Sequence, residues 1–251
     1  MEDINISDKN IIKICLLAGQ IMLQSGAETH RVEDTMNRIA AAFDVKNPQS
    51  YATPTSVQFS IAPETPSHAT RITKRTTDLY KITKVNQVSR QIAAGLLTID
   101  DAIHKLHQIA KKEMFFSIWM QIAAAALASA CFVIMFGGTW FDFLPAFITG
   151  GIGFASMLFF ERVLEIRFIS EFSASVIIGL LAVFFVYISF GLEVDKIIIG
   201  AVMPLVPGLP ITNAVRDLMA GHLVAGLSKG VEALLTATAI GAGVAVIFAL
   251  V

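Results

Sequence analysis

The second half of the chain consists largely of apolar residues. Five stretches contain no charged residue and are separated by short segments that carry most of the charge in this half: Phe115–Phe141, Phe143–Phe160, Phe172–Leu192, Ile197–Val215 and Ala233–Val251. A helix needs about 20 apolar residues to cross a bilayer core, and backbone groups in lipid must be hydrogen-bonded internally. The pattern therefore predicts an α-helical polytopic membrane protein with about five transmembrane helices in residues 114–251. The alternative, five helices buried in a large soluble core, is disfavoured because soluble helices keep a polar face.

Residues 1–113 show shorter patterns that are typical of a soluble α+β domain. Apolar residues recur at helical spacing in four segments, which are Ile11, Ile14, Cys15, Ala18, Ile21 and Met22; Val32, Met36, Ile39 and Phe43; Leu79, Ile82, Val85, Val88 and Ile92; and Ile103, Leu106 and Ile109. The third segment should stop near Gly95, and the fourth should begin at Thr98. About 110 residues suffice for one small domain.

Two strands and one helix cap are also predicted in this region. Val57, Phe59 and Ile61 alternate with polar residues, as in a half-buried strand, and Ala69–Lys74 is a candidate returning strand after a proline-containing turn. Ser25 followed three residues later by Glu28 matches a capping box, which predicts a helix that starts at Ser25.

Charge divides the chain in the same way and predicts its orientation. Lys and Arg number 14 in residues 1–113 and 5 in the remainder, so the net charge of -1 hides a strong asymmetry. Basic residues precede the first apolar run and recur in alternate loops, which are the loops that stay inside the cell. This alternation predicts a cytoplasmic N-terminus and an external C-terminus, in a multi-pass protein of the cell membrane.

The first chemically dense segment runs from Gly26 to Asp34. Glu28, Arg31 and Asp34 lie three residues apart, so both acids could flank Arg31 on one helix face; the alternative is an ordinary solvated surface. His30 lies beside Glu33 but has no recognised metal-ligand spacing, so no metal site is predicted.

The second dense segment runs from Met203 to Asp217. Pro204, Pro207, Gly208 and Pro210 cannot continue a regular helix, which predicts a broken fourth span. Broken helices in transporters place free backbone groups where substrates or ions bind. Three polar side chains follow the break and suit a small polar solute: Asn213 offers donors and an acceptor, Arg216 could hold a carboxylate, and Asp217 could pair with Arg216 or carry a proton. The alternative is a proline kink at the end of a span.

These two segments together resemble the motifs of the threonine/serine exporter family. Gly26-Ala-Glu-Thr-His-Arg-Val-Glu-Asp34 resembles its opening motif, and Pro207-Gly-Leu-Pro-Ile-Thr-Asn-Ala-Val-Arg-Asp217, followed by Gly221-His-Leu-Val-Ala-Gly226-Leu-Ser-Lys229, resembles its proline-glycine motif. The resemblance covers nearly the whole chain. Family members are either single chains with two membrane halves or pairs of separate subunits, and this chain is similar to the large subunit of such a pair.

The resemblance implies secondary export of a small carboxylate-bearing metabolite, either threonine and serine or a dicarboxylate such as succinate. It implies a small integral-membrane partner that supplies the second membrane half; a homo-oligomer is the alternative. The residues implied in transport are Pro207, Gly208, Pro210, Asn213, Arg216 and Asp217, and those implied in gating or a domain interface are Glu28, Arg31, Glu33 and Asp34.

The sequence also bears on other functional classes. A membrane-tethered enzyme lacks a nucleophile motif and a metal triad, so no catalytic residue is predicted. No glycine-rich loop ends in Lys-Ser or Lys-Thr, so neither ATP nor another cofactor is expected, and proton or substrate gradients remain as energy sources. No nucleic-acid partner is expected. A non-transporting assembly subunit stays open.

Overall fold

The computed structural model describes residues 6–112 and 116–250, which form a mostly helical protein with one small sheet. Its elements are α1 Ile6–Gln24, α2 Thr29–Ala41, β1 Gln49–Thr53, β2 Ser56–Ser60, β3 His68–Arg71, α3 Leu79–Ala93, α4 Ile99–Lys111, α5 Ile118–Met135, α6 Trp140–Leu164, α7 Arg167–Tyr187, α8 Val194–Val202, a 3-10 turn Met203–Leu205, α9 Gly208–Met219 and α10 Leu223–Leu250. The predicted domain boundary at 113/114, the start of the first apolar run and the end of the last lie outside the described residues.

The chain divides into two compact units. The first contains the described residues up to 112 together with Leu209–Gly230, and the second contains residues 116–208 and 231–250. The sequence placed all of residues 114–251 in the membrane domain, whereas the contacts group Leu209–Gly230 with the N-terminal residues. Which of these residues lie in a bilayer stays a prediction.

The first unit is organised around α1. Its apolar stripe packs against α2, α3, α4 and the sheet, and the residues of its core are almost fully buried: Ile14, Cys15, Ala18, Met22, Val32, Met36, Val57 and Phe59. Gly19 permits the approach of α2, because a Cβ there would lie 2.5 Å from Met36 Sδ. The predicted α+β character of this region is confirmed.

The sheet is antiparallel with the order β1-β2-β3. Ala52 pairs with Val57, and Phe59 pairs with His68. Strands β2 and β3 correspond to the two predicted strands, although β3 begins one residue earlier and ends three residues earlier than expected. Strand β1 was not predicted, because Gln-Ser-Tyr-Ala-Thr lacks a clear alternation of apolar and polar residues.

The predicted capping box at Ser25 is wrong. Ser25 instead ends α1, and Gly26 adopts φ +82°, with Ala27 N–H donating to Met22 O at 3.0 Å in a Schellman-type C-cap. Helix α2 starts at Thr29, and Glu28 occupies its N-cap position. The Glu28 side chain makes no capping hydrogen bond. The Glu28 carboxylate therefore stays available for other partners. The predicted helix start at Thr98 is confirmed, since its hydroxyl accepts a hydrogen bond from Asp101 N–H at 3.2 Å.

Among the described residues, four helices are long and apolar enough to cross a membrane, and they belong to the second unit: α5, α6, α7 and, with its last twenty residues, α10. A bent pair, Val194–Leu205 followed by Gly208–Met219, passes the same test jointly, which makes up to five spans among the described residues. Close packing depends on small residues: a Cβ on Gly150 would lie 2.0 Å from Ser129 Oγ.

The apolar runs gave span positions but inaccurate ends. The first run extends past Met135, where α5 stops before Gly137 at φ +83°, and α6 begins at Trp140 within the same run. Helix α10 begins ten residues before the last run. The charge-free run starts only after Glu232, whereas the helix includes both Lys229 and Glu232 near its start. Charge-free runs mark lipid-compatible surface, whereas helix ends are set by turns and caps.

Candidate functional site

The two dense sequence segments meet within the first unit, where α9 contacts the N-terminus of α2. Asp217 on α9 is fully buried. Its Oδ1 accepts a hydrogen bond from Thr29 N–H at 2.8 Å, and its Oδ2 accepts one from Thr29 Oγ1 at 2.9 Å. A carboxylate at this position satisfies a free N–H of the first turn and interacts favourably with the positive end of the helix.

Lys229 on α10 neutralises this carboxylate. Its Nζ lies 2.7 Å from Asp217 Oδ2, and its side chain is only 10% exposed. The same ammonium donates to Ala27 O and Thr29 Oγ1, both at 3.3 Å. The buried charges are thus paired and their remaining donors largely used, as an ion pair away from water requires.

A close approach of α9 and α10 sets this geometry. A Cβ on Gly226 would lie 2.6 Å from Leu218 Cγ and 2.9 Å from Leu218 N, so a larger residue would force the helices apart. The α10 segment that carries Lys229 is therefore held next to the one that carries Asp217.

A second set of contacts surrounds the buried pair. Asn213 Nδ2 donates to Gly26 O at 2.9 Å, and Arg216 forms an ion pair with Glu28. His30 Nε2 lies 3.5 Å from the other oxygen of Glu28. Asn213, Arg216 and Asp217 lie along one side of α9 and thus bind Gly26, Glu28 and Thr29, respectively, where α1 turns into α2. We call this set of contacts, together with Lys229, the α2–α9 latch.

Glu33 joins the edge of the latch. Its Oε1 accepts the Ala52 N–H at 2.8 Å and lies 3.7 Å from His222 Nδ1. Burial raises the pKa of Glu33 above the usual value for a glutamate, and the hydrogen bond from Ala52 and the nearby His222 oppose this shift in part.

Two residues of the predicted Glu28, Arg31 and Asp34 set lie outside the latch. Asp34 pairs with Arg38 at 2.5 Å on an exposed face, whereas Glu28 belongs to the latch through Arg216. In the described part of the chain Arg31 is exposed and pairs with neither acid, so the solvated alternative holds for it.

The proline-rich segment is broken where its composition predicts. Val206 and Pro207 separate the 3-10 turn from α9, and α9 begins at Gly208. Pro210 lies in the first turn of α9, where the missing N–H costs no hydrogen bond, so it starts the helix and does not break it.

Thr29, Lys229 and His222 were not singled out as site residues from the sequence. A lysine among apolar residues near a membrane span needs a partner, which was a usable signal for Lys229. Nothing in the local sequence identifies that partner as Asp217, because the pair forms only when α9 and α10 pack together. Within the described residues no three His, Cys, Asp or Glu side chains lie close enough together to hold a metal ion.

Comparison with known proteins assigns the chain to a family. Residues 13–251 match the ThrE family model, whose description reads "Putative threonine/serine exporter". A relative from Mycobacterium tuberculosis, named a probable threonine/serine exporter, is 21% identical over 96% of this chain. Relatives from Klebsiella aerogenes and Escherichia coli, each named probable succinate transporter subunit YjjP, are 26% and 24% identical over 92% of this chain.

Coverage of these relatives differs. The chain spans about half, 46%, of the mycobacterial protein and 91% of each YjjP protein. No solved structure matches. Together with the apolar helices, the family match identifies a multi-pass membrane protein, and the chain belongs to the threonine/serine exporter family.

Proposed function

We propose that this chain is the large subunit of a secondary exporter that moves a small carboxylate-bearing metabolite out of the cell. The observation that carries the proposal is the α2–α9 latch, in which both family-resembling segments bind each other through the buried Asp217–Lys229 pair. Residues matched by the family model thus meet in one contact. A shared transport step requires such a contact, whereas unrelated surface motifs would lie apart.

The latch suits a gate that opens and closes. Its inner part is a buried ion pair at a helix N-terminus, and its outer part consists of the more exposed Arg216–Glu28 pair and the Asn213–Gly26 hydrogen bond. Each contact pairs a positive or donor group with an oxygen, so a substrate carboxylate can compete for Arg216 or Lys229. Asp217 serves here in charge pairing, and Asn213 and Arg216 contact substrate when the latch opens.

The substrate is either threonine and serine or a dicarboxylate such as succinate, as the names of the relatives suggest. The shared feature of these solutes is a carboxylate, which the cationic groups of the latch can bind. No catalytic step is assigned to the chain. Its N-terminus lies on the cytoplasmic side, where the latch meets the solute before export.

A second, small integral-membrane subunit completes the exporter. The YjjP relatives carry the word subunit in their names, and this chain spans 91% of their length. A homo-oligomer is the alternative arrangement.

Efflux from preloaded cells tests the proposal. Cells are loaded with a threonine-containing dipeptide or with succinate, and they express this chain alone, the chain with its candidate partner, or neither. We expect faster efflux of one solute only when both chains are present, and we expect Asp217→Asn to abolish it. Unchanged efflux of both solutes, with both chains present in the membrane, would overturn the proposal. Efflux that survives Asp217→Asn would leave this chain the role of an assembly subunit.

A further inference from the structure

A buried carboxylate in the second unit lacks a partner for one of its oxygens. Glu171 lies in the second turn of α7 and is 2% exposed. Its Oε1 accepts a hydrogen bond from Arg167 Nε at 2.8 Å, whereas its Oε2 is buried and has no hydrogen-bond partner among the described residues. A buried acceptor without a partner is costly, and an acid inside a membrane span usually serves the transport path.

A second unpartnered oxygen lies on the helix packed against α7. Thr236 on α10 is 1% exposed, and its Oγ1 likewise has no partner within the described part of the chain. Two contacts bracket it along α10: Glu232 Oε1 lies 3.9 Å from Arg167 Nη1, and Gly243 approaches the carbonyl of Phe172 so closely that a Cβ would lie 2.6 Å away. Thr236 is four residues after Glu232 and seven before Gly243, so all three lie on one helix face. This register places Thr236 opposite the part of α7 that carries Glu171.

The number of oxygens decides which cation such a place can hold. A hard metal ion takes about six oxygen ligands, but α7 and α10 are regular helices whose carbonyls are already hydrogen-bonded. Two side-chain oxygens without a partner remain on the facing helices, and they are not bonded to each other. They are too few for a metal ion, whereas a single proton on Glu171 Oε2 would remove the charge of the unpartnered acceptor.

We propose that Glu171 carries the coupling proton of the exporter, an inference that rests on the proposed function. In the loaded state a proton taken from water forms an O–H bond at Oε2. In the unloaded state this bond breaks, the proton passes to water, and the carboxylate keeps its ion pair with Arg167. Arg167 is 45% exposed, so it connects the buried acid to the surface of the unit.

The other charges near this position are few. On α10 the nearest is Glu232, which lies beside Arg167, and at the end of α6 Glu161 and Arg162 are exposed. Arg167 is therefore the cation that faces Glu171, and it remains as a counter-charge when the proton has left.

The variant Glu171→Gln tests the proposal, because glutamine keeps the size and hydrogen bonds of the protonated acid but cannot exchange a proton. Two rates are measured in vesicles: net efflux driven by a pH gradient, and exchange of labelled for unlabelled solute at equal concentrations. We expect the variant to lose the response to the pH gradient and to keep exchange. Glu171→Asp, which can still titrate, should restore part of the response, and the exposed Glu161→Gln should behave as the unmodified chain.

A pH-gradient response that persists in Glu171→Gln would overturn the proposal, as would the joint loss of exchange and gradient response in both Glu171 variants. An unmodified chain that moves neither solute even with its candidate partner in the vesicles would instead refute the proposed function. Infrared difference spectra between two pH values then test the protonation of Glu171 independently of transport. A protonated-carboxyl band that disappears in Glu171→Gln but not in Glu161→Gln supports the proton site. A band that is unchanged in Glu171→Gln contradicts it.

Discussion

Asp217 shows how one side chain can join two distant segments of sequence. Its carboxylate accepts from the backbone and hydroxyl of Thr29 and pairs with Lys229, and all three residues are buried while the latch is closed. Breaking a buried pair by removing one member costs much more than removing both, because a charge is left without compensation.

We therefore expect Lys229→Met to lower the free energy of unfolding by about 3–5 kcal/mol, the range for one uncompensated buried charge. Thermal unfolding of the purified chain in detergent measures this. The control is Arg38→Met, which breaks the exposed pair with Asp34 and should cost only a few tenths of a kcal/mol. The double variant Asp217→Asn with Lys229→Met should recover most of the loss. Equal costs for the Lys229 and Arg38 variants would show that the pair is not buried as described.

Glu33 gives a pH dependence with a definite sign. Because burial raises its pKa in the folded protein, the folded state binds the proton more tightly than the unfolded state does. This contribution to stability is therefore greatest below the ordinary glutamate value and is lost as the pH rises through the raised pKa. Glu33→Gln should flatten the curve of stability against pH above about 4.5, the ordinary glutamate value. Parallel curves for the variant and the unmodified chain would contradict this.

At the scale of elements, helix stripes were predictable and most helix ends were not. The apolar stripes of α1 to α4 follow from spacing alone, because one face of each helix is buried. The start of α2 was misplaced because Ser25-Gly26 closes the preceding helix, and a capping sequence does not reveal which helix it serves. The latch itself could be named only through its two segments, since pairing across 188 residues depends on tertiary packing.

The turn at Gly26 can be tested against another glycine of similar conformation. Gly26→Ala suffers both a left-handed backbone, at φ +82°, and a Cβ 3.1 Å from Thr76 O. Gly95 has φ +68° but open space around it. Both alanine variants should lose about 1–2 kcal/mol from the backbone. Gly26→Ala should lose more and also weaken the latch, as measured by unfolding and by efflux. Equal losses of stability in the two variants would mean that Thr76 moves away from the new Cβ at no cost.

Asp142 links the segment between α5 and α6 to the segment between α7 and α8 in the second unit. Its carboxylate accepts hydrogen bonds from Thr139 N–H and Oγ1 and from the N–H groups of Leu192 and Glu193, at 2.7 to 3.1 Å. Asp142→Asn turns one acceptor into a donor that faces these donors, so we expect a loss of about 1–3 kcal/mol in unfolding measurements. Asp195→Asn, at an exposed aspartate, serves as the matched control and should change little.

At the scale of the whole molecule, the proposed cycle joins a latch in the first unit to a proton-binding acid in the second. The family match supports transport, and the relatives' names divide between amino acids and succinate. The sequence motifs predicted this function class, but the substrate depends on side-chain arrangements in the open state. A carboxylate exporter with a closed latch must release the latch in every cycle.

A reversible cross-link across the latch tests this requirement most directly. Glu33 and His222, whose side chains lie 3.7 Å apart at the edge of the latch, are both replaced by cysteine, and the exposed Cys131 is replaced by serine. Cys15 can remain, because burial raises the pKa of its thiol and keeps it unreactive. The two cysteines are bridged with a bifunctional thiol reagent that contains a reducible disulfide, and efflux of the threonine dipeptide or succinate is measured before and after reduction of that bridge. We predict that the bridge stops efflux and that reduction restores it; equal efflux in the two states would contradict a gate at the α2–α9 latch.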